Sequence, residues 1–434
     1  MAGGVAQDAI LSQTKPEGPR SGLSTLMLRL YELSAVALVV AAGVLTYGVV
    51  MGHLSGRATL WQDEVTIFLI AGATFISAAQ VQAWRGHVGI EVLAEILPAG
   101  LNELRYKIID FLVLAFCIFF AWKSGLLLHE AWDEGQTSHS AWGPPMWIPY
   151  GLLTFGMALL ALQVAMQVAQ RSMAALVLAI LCAGALLFWQ RPPFALLTGY
   201  SLPVVGGAYS IVTLVMMFSG MPIAFALGVT ALTFMFLFMP LASVDTIAQN
   251  FYEELANTII LAIPLFILKG AAIGRSDAGR DLYLALHAWL HRIPGGLGVA
   301  NTVACGLFAA MAGSSPATCS AIGSAGIPEM RARGYSPGFA AGIIAAGGTL
   351  GILLPPSVTM LLYAVAAEVS LGRLFLAGLL PGLLLITLFA GYSVMRFQKE
   401  KRIAEAEETR TGQRSAILAR DEYTFAQKVR MLTW

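Results

Sequence analysis

Two clusters of glycine, serine and proline interrupt a long apolar stretch between residues 293 and 367. The first cluster occupies residues 312–320 and the second occupies residues 346–357. A helix in lipid satisfies its own backbone hydrogen bonds, so breaks at membrane depth survive only against protein or a water-filled cavity. Two interrupted segments of this kind indicate an ion or substrate site near the middle of a membrane.

The first break lies within the apolar residues 293–328. As one helix they would extend about 54 Å, which is too long for one crossing of a hydrocarbon core about 30 Å thick. Basic residues flank the segment on both sides, as is typical of cytoplasmic ends. We therefore expect a re-entrant hairpin with its tip at residues 313–315. Two short ordinary spans joined by a turn at Gly313 are the alternative.

The second break lies in residues 336–367, which carry no acidic or basic side chain. Pro355 and Pro356 interrupt any helix because each lacks a backbone N–H. The glycines just before them are expected to let the backbone leave helical geometry. The freed carbonyls and the nearby hydroxyls are hard, uncharged ligands that suit Na⁺. Small residues that only permit close helix packing are the alternative.

The candidate ion- and substrate-binding residues share a small side chain, a hydroxyl oxygen or a backbone that interrupts a helix. They are Gly313, Ser314, Ser315, Thr318, Gly347, Gly348, Thr349, Gly351, Pro355, Pro356 and Ser357. No catalytic residue is expected, because a serine hydrolase needs a general base and no His, Asp or Lys lies within either break. No cofactor is expected either, and Na⁺ held by the same residues would be the coupling ion.

Composition places the chain among polytopic membrane proteins. Hydrophobic residues make up 57% of the sequence, charged residues make up 12%, and the formal net charge is +1. The basic residues are dispersed in loops, so membrane lipid is an expected partner and nucleic acid is not. The four cysteines lie in apolar segments without CxxC spacing and predict neither a disulfide framework nor a metal site.

The remaining segments predict an all-α polytopic integral membrane protein. Residues 1–24 are polar and are predicted to form a disordered cytoplasmic tail. Residues 25–170 contain four apolar runs of spanning length, with loop charges that put both ends inside. Residues 171–202 are predicted to be a linking helix and loop, and residues 203–434 contain both breaks.

Two single residues and one segment outside the breaks also carry expectations. Lys269 lies inside an apolar segment, residues 257–274, where a side chain reaching to the interface is the simpler account and a functional charge is the alternative. Residues 277–291 predict a helix in the inner interface with Trp289 as an anchor. His87 closes the second apolar run and is assigned to scaffolding.

Several motifs of the second half resemble the large permease subunit of TRAP transporters, the tripartite ATP-independent periplasmic transporters. They cover residues 313–318, 327–335, 347–357 and 370–378. Residues 27–170 are similar, through shorter motifs, to the small four-helix subunit of that family. The chain thus resembles a fused permease, in which a four-helix scaffold unit precedes the first half of an inverted-repeat fold with a re-entrant hairpin and a broken helix.

The resemblance implies a secondary transporter in the cytoplasmic (inner) membrane of a bacterium, with a cytoplasmic N-terminus. Such permeases use the Na⁺ gradient to import organic acids such as C4-dicarboxylates, which a periplasmic solute-binding protein delivers. A transport domain is expected to move like an elevator against a scaffold. Carried over by position, residues 313–318 would be the hairpin tip and residues 347–357 the unwound segment beside it.

Members of that family have two inverted repeats, whereas this sequence shows one set of motifs. We therefore expect a longer polypeptide or another chain to supply the second repeat, and we expect these 434 residues alone not to transport. Two other functions stay open: a stand-alone ion-coupled anion symporter without a binding protein, and a non-transporting fragment. Neither the particular acid nor the Na⁺ stoichiometry is predicted.

Overall fold

The computed structural model consists of two compact units, with the boundary between Ala256 and Asn257. The tail predicted for residues 1–24 and the linking segment predicted for residues 171–202 lie mostly outside the described residues. The structure describes residues 22–56, 61–171 without 88, 91 and 139, single positions between 173 and 184, 201–411 without 258, and 424–432.

The described residues form helices and no strand, which confirms the all-α fold class. Within the described residues, five helices are long and apolar enough to cross a membrane, as a polytopic protein requires, and one bent helix pair would add a sixth span. The five are Gly22–Leu54, Gln62–Ala83, Gly100–Asp133, Trp147–Gln170 and Leu371–Ala406, and the bent pair is Pro337–Leu353 with Val358–Ala366.

The N-terminal unit contains the four predicted apolar runs as four long helices. The helices of this part are α1 (Gly22–Ser55), α2 (Gln62–Ala83), α3 (Val92–Ile96), α4 (Ala99–Asp133) and α5 (Trp147–Arg171). Helix α1 packs on α2, α2 packs on α5, and α4 packs on α5.

The same unit continues through four more helices, past the division predicted at residue 203. These are α6 (Leu202–Phe218), α7 (Ile223–Phe238), α8 (Leu241–Asp245) and α9 (Ile247–Leu255). Met221 and Phe225, at the start of α7, share one buried core with Leu114 and Phe120 of α4. A Cβ atom on Gly228 would lie 2.8 Å from the ring of Phe116, so the missing side chain lets α7 approach α4. The first helices of the large-subunit-like sequence therefore fold with the four-helix part.

The C-terminal unit contains the two breaks. Its helices are α10 (Ala262–Arg275), α11 (Ala278–Leu290), α12 (Gly296–Ala312), α13 (Ser315–Ala332), α14 (Pro337–Gly348), α15 (Leu350–Leu353), α16 (Val358–Ala366), α17 (Leu371–Thr411) and α18 (Phe425–Leu432). Helices α12 and α13 form a helical hairpin that packs on α11 and α14. Phe308 of α12, Ile322 of α13, Ile344 of α14 and Tyr283 of α11 share its buried core. The position of the hairpin in this core fixes where its tip lies.

Helix α11 matches the amphipathic segment predicted for residues 277–291, and its buried face packs on α12 and α13. Trp289, the predicted interfacial anchor, is 44% exposed. Its ring lies 6.4 Å from the ring of Phe425, measured between centroids, where α18 packs on α11. The segment thus has one face in the unit's core and one aromatic side chain at the surface.

The apolar residues 374–395 predict a last membrane span, and helix α17, which is 41 residues long, contains this span and extends well past it. Its extension holds the loop between α13 and α14, because the Ser336 hydroxyl donates a 2.6 Å hydrogen bond to Glu400. Arg396 also lies 3.4 Å from Glu400, and the ring of Tyr335 lies 5.8 Å from that of Phe397. The base of the hairpin is therefore fastened to this long helix.

Candidate functional site

The hairpin turns at Gly313. This residue has a left-handed backbone conformation (φ 65°, ψ 18°), which glycine adopts at little cost, and its N–H donates to the carbonyl oxygen of Ala309 over 2.7 Å. Ser314 is extended, and α13 begins at Ser315 with Pro316 in its first turn. A proline is tolerated there because the first N–H groups of a helix have no intrahelical acceptor. Gly-Ser-Ser-Pro therefore supplies the residue types that this turn and the start of α13 require.

The second break lies at residues 354–357 rather than at the glycines before it. Gly347 and Gly348 are the last residues of α14, and Gly351 lies inside α15. The expectation that these glycines leave helical geometry is therefore wrong. The irregular backbone begins at Leu354 (φ −79°, ψ 128°) and ends at Ser357, the residue before α16.

Close packing explains the three glycines. A Cβ atom on Gly348 would lie 2.0 Å from the sulfur of Cys319, and one on Gly347 would lie 2.8 Å from the sulfur of Cys305. A Cβ atom on Gly351 would lie 2.7 Å from the backbone nitrogen of Ser315. The absence of side chains lets the hairpin lie directly against α14 and α15, which is the packing alternative raised from the sequence.

The two breaks are in contact. The Val358 N–H donates to the carbonyl oxygen of Gly313 over 3.3 Å. A Cβ atom on Gly313 would lie 2.6 Å from the carbonyl oxygen of Pro356. The N-termini of α13 and α16 consequently begin on either side of one junction, and each carries the partial positive charge of unpaired backbone N–H groups.

Two serine hydroxyls are buried in the two breaks without a hydrogen-bond partner among the described residues. They are Ser315 Oγ in the first break and Ser357 Oγ in the second, and Ser357 is fully buried. A buried hydroxyl without a partner costs about 1–3 kcal/mol, so such atoms often mark the position of a missing ligand. Each interrupted segment thus contains one buried serine hydroxyl that has no hydrogen-bond partner among the described residues.

Two of the other three predicted hydroxyl ligands, those of Thr318 and Thr349, already donate hydrogen bonds. The Thr318 hydroxyl donates to the carbonyl oxygen of Ser314 over 2.9 Å. The Thr349 hydroxyl donates to the carbonyl oxygen of Ala346 over 2.6 Å, and its side chain is exposed. Thr318 therefore supports the turn from within the hairpin, while Thr349 faces away from the junction.

A cavity of about 480 Å³ opens beside the hairpin tip. Its walls come from α10, the tip, α15 and the start of α16, and none of the lining side chains is charged. They are Phe266, Ile267, Gly270, Ala271, Ala312, Gly313, Ser314, Ser315, Pro316, Ala317, Ile352, Val358 and Thr359. The tip is therefore one wall of a space large enough for a small solute.

Helix α10 is a wall that the sequence did not predict as part of the site. A Cβ atom on Gly270 would lie 2.9 Å from the carbonyl oxygen of Ala312, so this glycine brings α10 against the tip. The residues that face the cavity recur at helical spacing but are apolar, which is also the pattern of ordinary core packing. A sequence signal was present, but it was not specific.

Lys269, next to Gly270, is the basic residue associated with this wall. Its ammonium nitrogen lies 4.5 Å from the ring centroid of Phe266, which lines the cavity. Among the residues that the structure describes, no carboxylate pairs with this ammonium. The described residues also contain no group of three or more His, Cys, Asp or Glu side chains that could hold a metal ion.

Two protein-family models match the chain. The model of "Tripartite ATP-independent periplasmic transporters, DctQ component" matches residues 41–174. The model of "Tripartite ATP-independent periplasmic transporter, DctM component" matches residues 210–424. Both families are transporter components and not enzymes, in agreement with the expectation that the chain is not an enzyme.

Curated relatives include both a fused and several large-permease proteins. The isethionate TRAP transporter permease protein DctMQ of Oleidesulfovibrio alaskensis is 30% identical over 346 residues, which are 79% of this chain and 53% of that protein. The C4-dicarboxylate TRAP transporter large permease protein DctM of Pseudomonas aeruginosa is 44% identical over 176 residues, which are 40% of this chain and 41% of that protein. The sialic acid TRAP transporter large permease protein SiaM of Vibrio cholerae is 36% identical over 169 residues, which are 39% of each chain. The chain spans about half, or less, of the length of these relatives.

Proposed function

The chain belongs to the TRAP transporter permease family, with DctQ-like and DctM-like parts joined in one polypeptide, and we propose that it takes part in importing a small organic acid by Na⁺ symport. The observation that carries this proposal is the pair of unpartnered hydroxyls, Ser315 and Ser357, in two breaks that are in contact beside a cavity.

Na⁺ is the coupling ion that fits this chemistry. It takes uncharged oxygen ligands, and transporters of this general architecture supply them from unwound backbone and helix ends. The two serine hydroxyls offer lone pairs, and the carbonyl oxygen of Pro356 lies within reach of the tip at Gly313. Proton coupling is less suitable, because none of the cavity-lining side chains is an acid or a histidine.

An acidic solute fits the same junction, next to the cation. The N-termini of α13 and α16 carry partial positive charge, which favours a carboxylate or another oxyanion. The relatives are described as permeases for isethionate, C4-dicarboxylates, ectoine and sialic acid, all of which bear an acidic group. We propose a small organic acid such as a C4-dicarboxylate as the substrate class of this chain.

The wider transport cycle follows from family membership. We propose that a periplasmic solute-binding protein delivers the acid to a permease in the bacterial inner membrane, with the N-terminus in the cytoplasm and a second repeat completing the site. The hairpin of α12 and α13 would be re-entrant. The candidate site lies wholly within the C-terminal unit, which supports an elevator-like motion of one compact unit against a scaffold.

Ion binding is tested on the purified chain by its thermal unfolding in NaCl and in choline chloride. A ligand at about 100 times its Kd stabilises a protein by about 2.7 kcal/mol, so Na⁺ should raise the Tm by several degrees. Ser315→Ala and Ser357→Ala should each abolish the Na⁺ effect without lowering the Tm in choline, because each removes an unpaired hydroxyl. Ser324→Ala is the control, since that hydroxyl of α13 already donates to Ala321.

Coupling is tested by uptake of labelled succinate, isethionate and ectoine in cells that express the whole permease with its periplasmic protein. At least one acid should accumulate under an inward Na⁺ gradient, and Ser315→Ala should abolish accumulation. Equal uptake in choline medium would contradict Na⁺ coupling. Undiminished uptake without the periplasmic protein would favour the stand-alone symporter.

A further inference from the structure

We propose that Lys269 supplies the counter-charge for the acidic group of the substrate and thereby selects anionic over zwitterionic solutes. The inference rests on the proposed function, because it gives a role to a residue at the edge of the same cavity. It concerns substrate choice and not the coupling ion.

Lys269 does not itself line the cavity, but its ammonium group lies over the ring of a residue that does. Lys269 follows Phe266 by one helical turn, and its nitrogen lies 4.5 Å from the centroid of that ring. Phe266 is part of the cavity wall, and so is Gly270, the neighbour of Lys269 on the other side. Because Gly270 packs directly on the carbonyl oxygen of Ala312, this turn of α10 is held against the hairpin tip.

The charge of Lys269 is left uncompensated by acidic side chains. No carboxylate pairs with it in the part of the chain that the structure describes, and its contact is with an aromatic face, which attracts a cation without neutralising it. The cavity walls themselves carry no charge. An acid that enters this space sheds water, and a nearby ammonium favours the ionised form of the solute.

Snorkelling is the competing account of this residue. A snorkelling lysine extends along apolar surface until its head reaches the polar interface. The Lys269 ammonium group instead lies over the ring of Phe266, a residue of the cavity wall one turn earlier in α10. Basic residues within membrane segments usually face a protein interior or an aqueous cavity, where they contact substrate or ion.

The proposal predicts a graded effect of removing the charge. Succinate is a dianion at neutral pH, isethionate is a monoanion, and ectoine is a zwitterion. A hydrogen bond between two charged groups is stronger than one between neutral groups, so Lys269→Met should weaken succinate binding by at least about tenfold. The loss should be smaller for isethionate and less than about twofold for ectoine, whose net charge is zero.

Binding is measured in NaCl by calorimetry with succinate, isethionate and ectoine, on the purified permease with its second repeat present, beside the Na⁺-dependent rise in Tm. Lys269→Arg should keep the preference for anions, and Phe266→Leu should weaken it by releasing the ammonium from its place. Lys401→Met is the control, because Lys401 pairs with Glu405 on the extension of α17. Lys269→Met should keep the full Na⁺ effect, which shows that it remains folded.

The outcomes separate this inference from the function on which it rests. A wild-type permease, with its second repeat present, that binds none of the three solutes overturns the proposed site and the role of Lys269 together. Wild-type binding of succinate that survives unchanged in Lys269→Met overturns the role of Lys269 alone. An equal loss for all three solutes would assign the lysine to structure instead of charge selection.

Discussion

The backbone N–H of Val358 donates to the carbonyl oxygen of Gly313 over 3.3 Å, and this hydrogen bond joins the two interrupted segments of the chain. The residues involved are 45 positions apart, yet both lie at helix ends. The bond satisfies one orphan donor of α16 with a carbonyl of the hairpin turn. Other helix-end groups at this junction then stay available for ligands.

Gly313→Ala is expected to disrupt that junction. A left-handed conformation costs a residue with a side chain about 1–2 kcal/mol, and the new Cβ atom would also lie 2.6 Å from the Pro356 carbonyl oxygen. Thermal unfolding should show lower stability and loss of the Na⁺ effect. Gly342→Ala is the control, because that α14 glycine has open space around it and alanine favours the helix. A variant at Gly313 as stable as wild type would contradict the close contact.

Gly348→Ala should be destabilising in a way that a second substitution repairs. The added Cβ atom would lie 2.0 Å from the sulfur of Cys319 and 3.5 Å from its Cβ atom, so only the sulfur obstructs it. Cys319→Ala should therefore restore stability to Gly348→Ala in a double-mutant cycle. Gly351→Ala should not be rescued by Cys319→Ala, since backbone atoms of Ser314 and Ser315 surround that position. Additive effects of the substitutions at Gly348 and Cys319 would refute this account.

Glu400→Gln should loosen the base of the hairpin. The Glu400 side chain is 12% exposed and accepts a 2.6 Å hydrogen bond from Ser336, and charged hydrogen bonds contribute about 1.5–3 kcal/mol. A double-mutant cycle with Ser336→Ala, measured by thermal unfolding, should give a coupling free energy of about 1 kcal/mol or more. Glu405→Gln, which breaks an exposed pair with Lys401, should cost about 0.5 kcal/mol or less. Equal costs at the two positions would argue against a fastening role.

His87 should make the N-terminal unit less stable at acidic pH. Burial lowers the pKa of His87 below its usual value of about 6.5, so the unfolded chain binds a proton there more readily than the folded one. Stability from this group is present above about pH 6.5 and falls as the pH decreases further. His87→Phe should flatten the pH dependence of the Tm, whereas His129→Phe, at a 74% exposed position, controls for the loss of one histidine.

Apolar length and helix-breaking residues predicted most of the helices. Apolar runs at residues 203–219 and 222–240, separated by a Gly-x-Pro turn signal at residues 220–222, predict two helices, and α6 and α7 lie there. The extension of α17 beyond residue 395 was missed, although charged side chains spaced four apart, such as Lys401 and Glu405, favour a continuing helix.

Packing roles were harder to predict than helices. Gly347, Gly348 and Gly351 read equally well as unwound backbone or as close contacts, and only the positions of Cys305, Cys319 and Ser315 decide between them. The same limit applies to hydroxyls. Thr349 and Ser357 are both hydroxyl residues of the second break. The Thr349 hydroxyl donates to the carbonyl oxygen of Ala346 three residues earlier, whereas the Ser357 hydroxyl is buried without a partner in the described part of the chain.

The shared core of α4 and α7 has a consequence for how this polypeptide could be divided. Because Met221 and Phe225 are buried with Leu114 and Phe120, cutting the chain between residues 171 and 202 would leave two fragments with a large matching apolar surface. Such fragments should remain bound and co-purify. The covalent join would then serve mainly to guarantee equal amounts of both parts and a high local concentration during assembly.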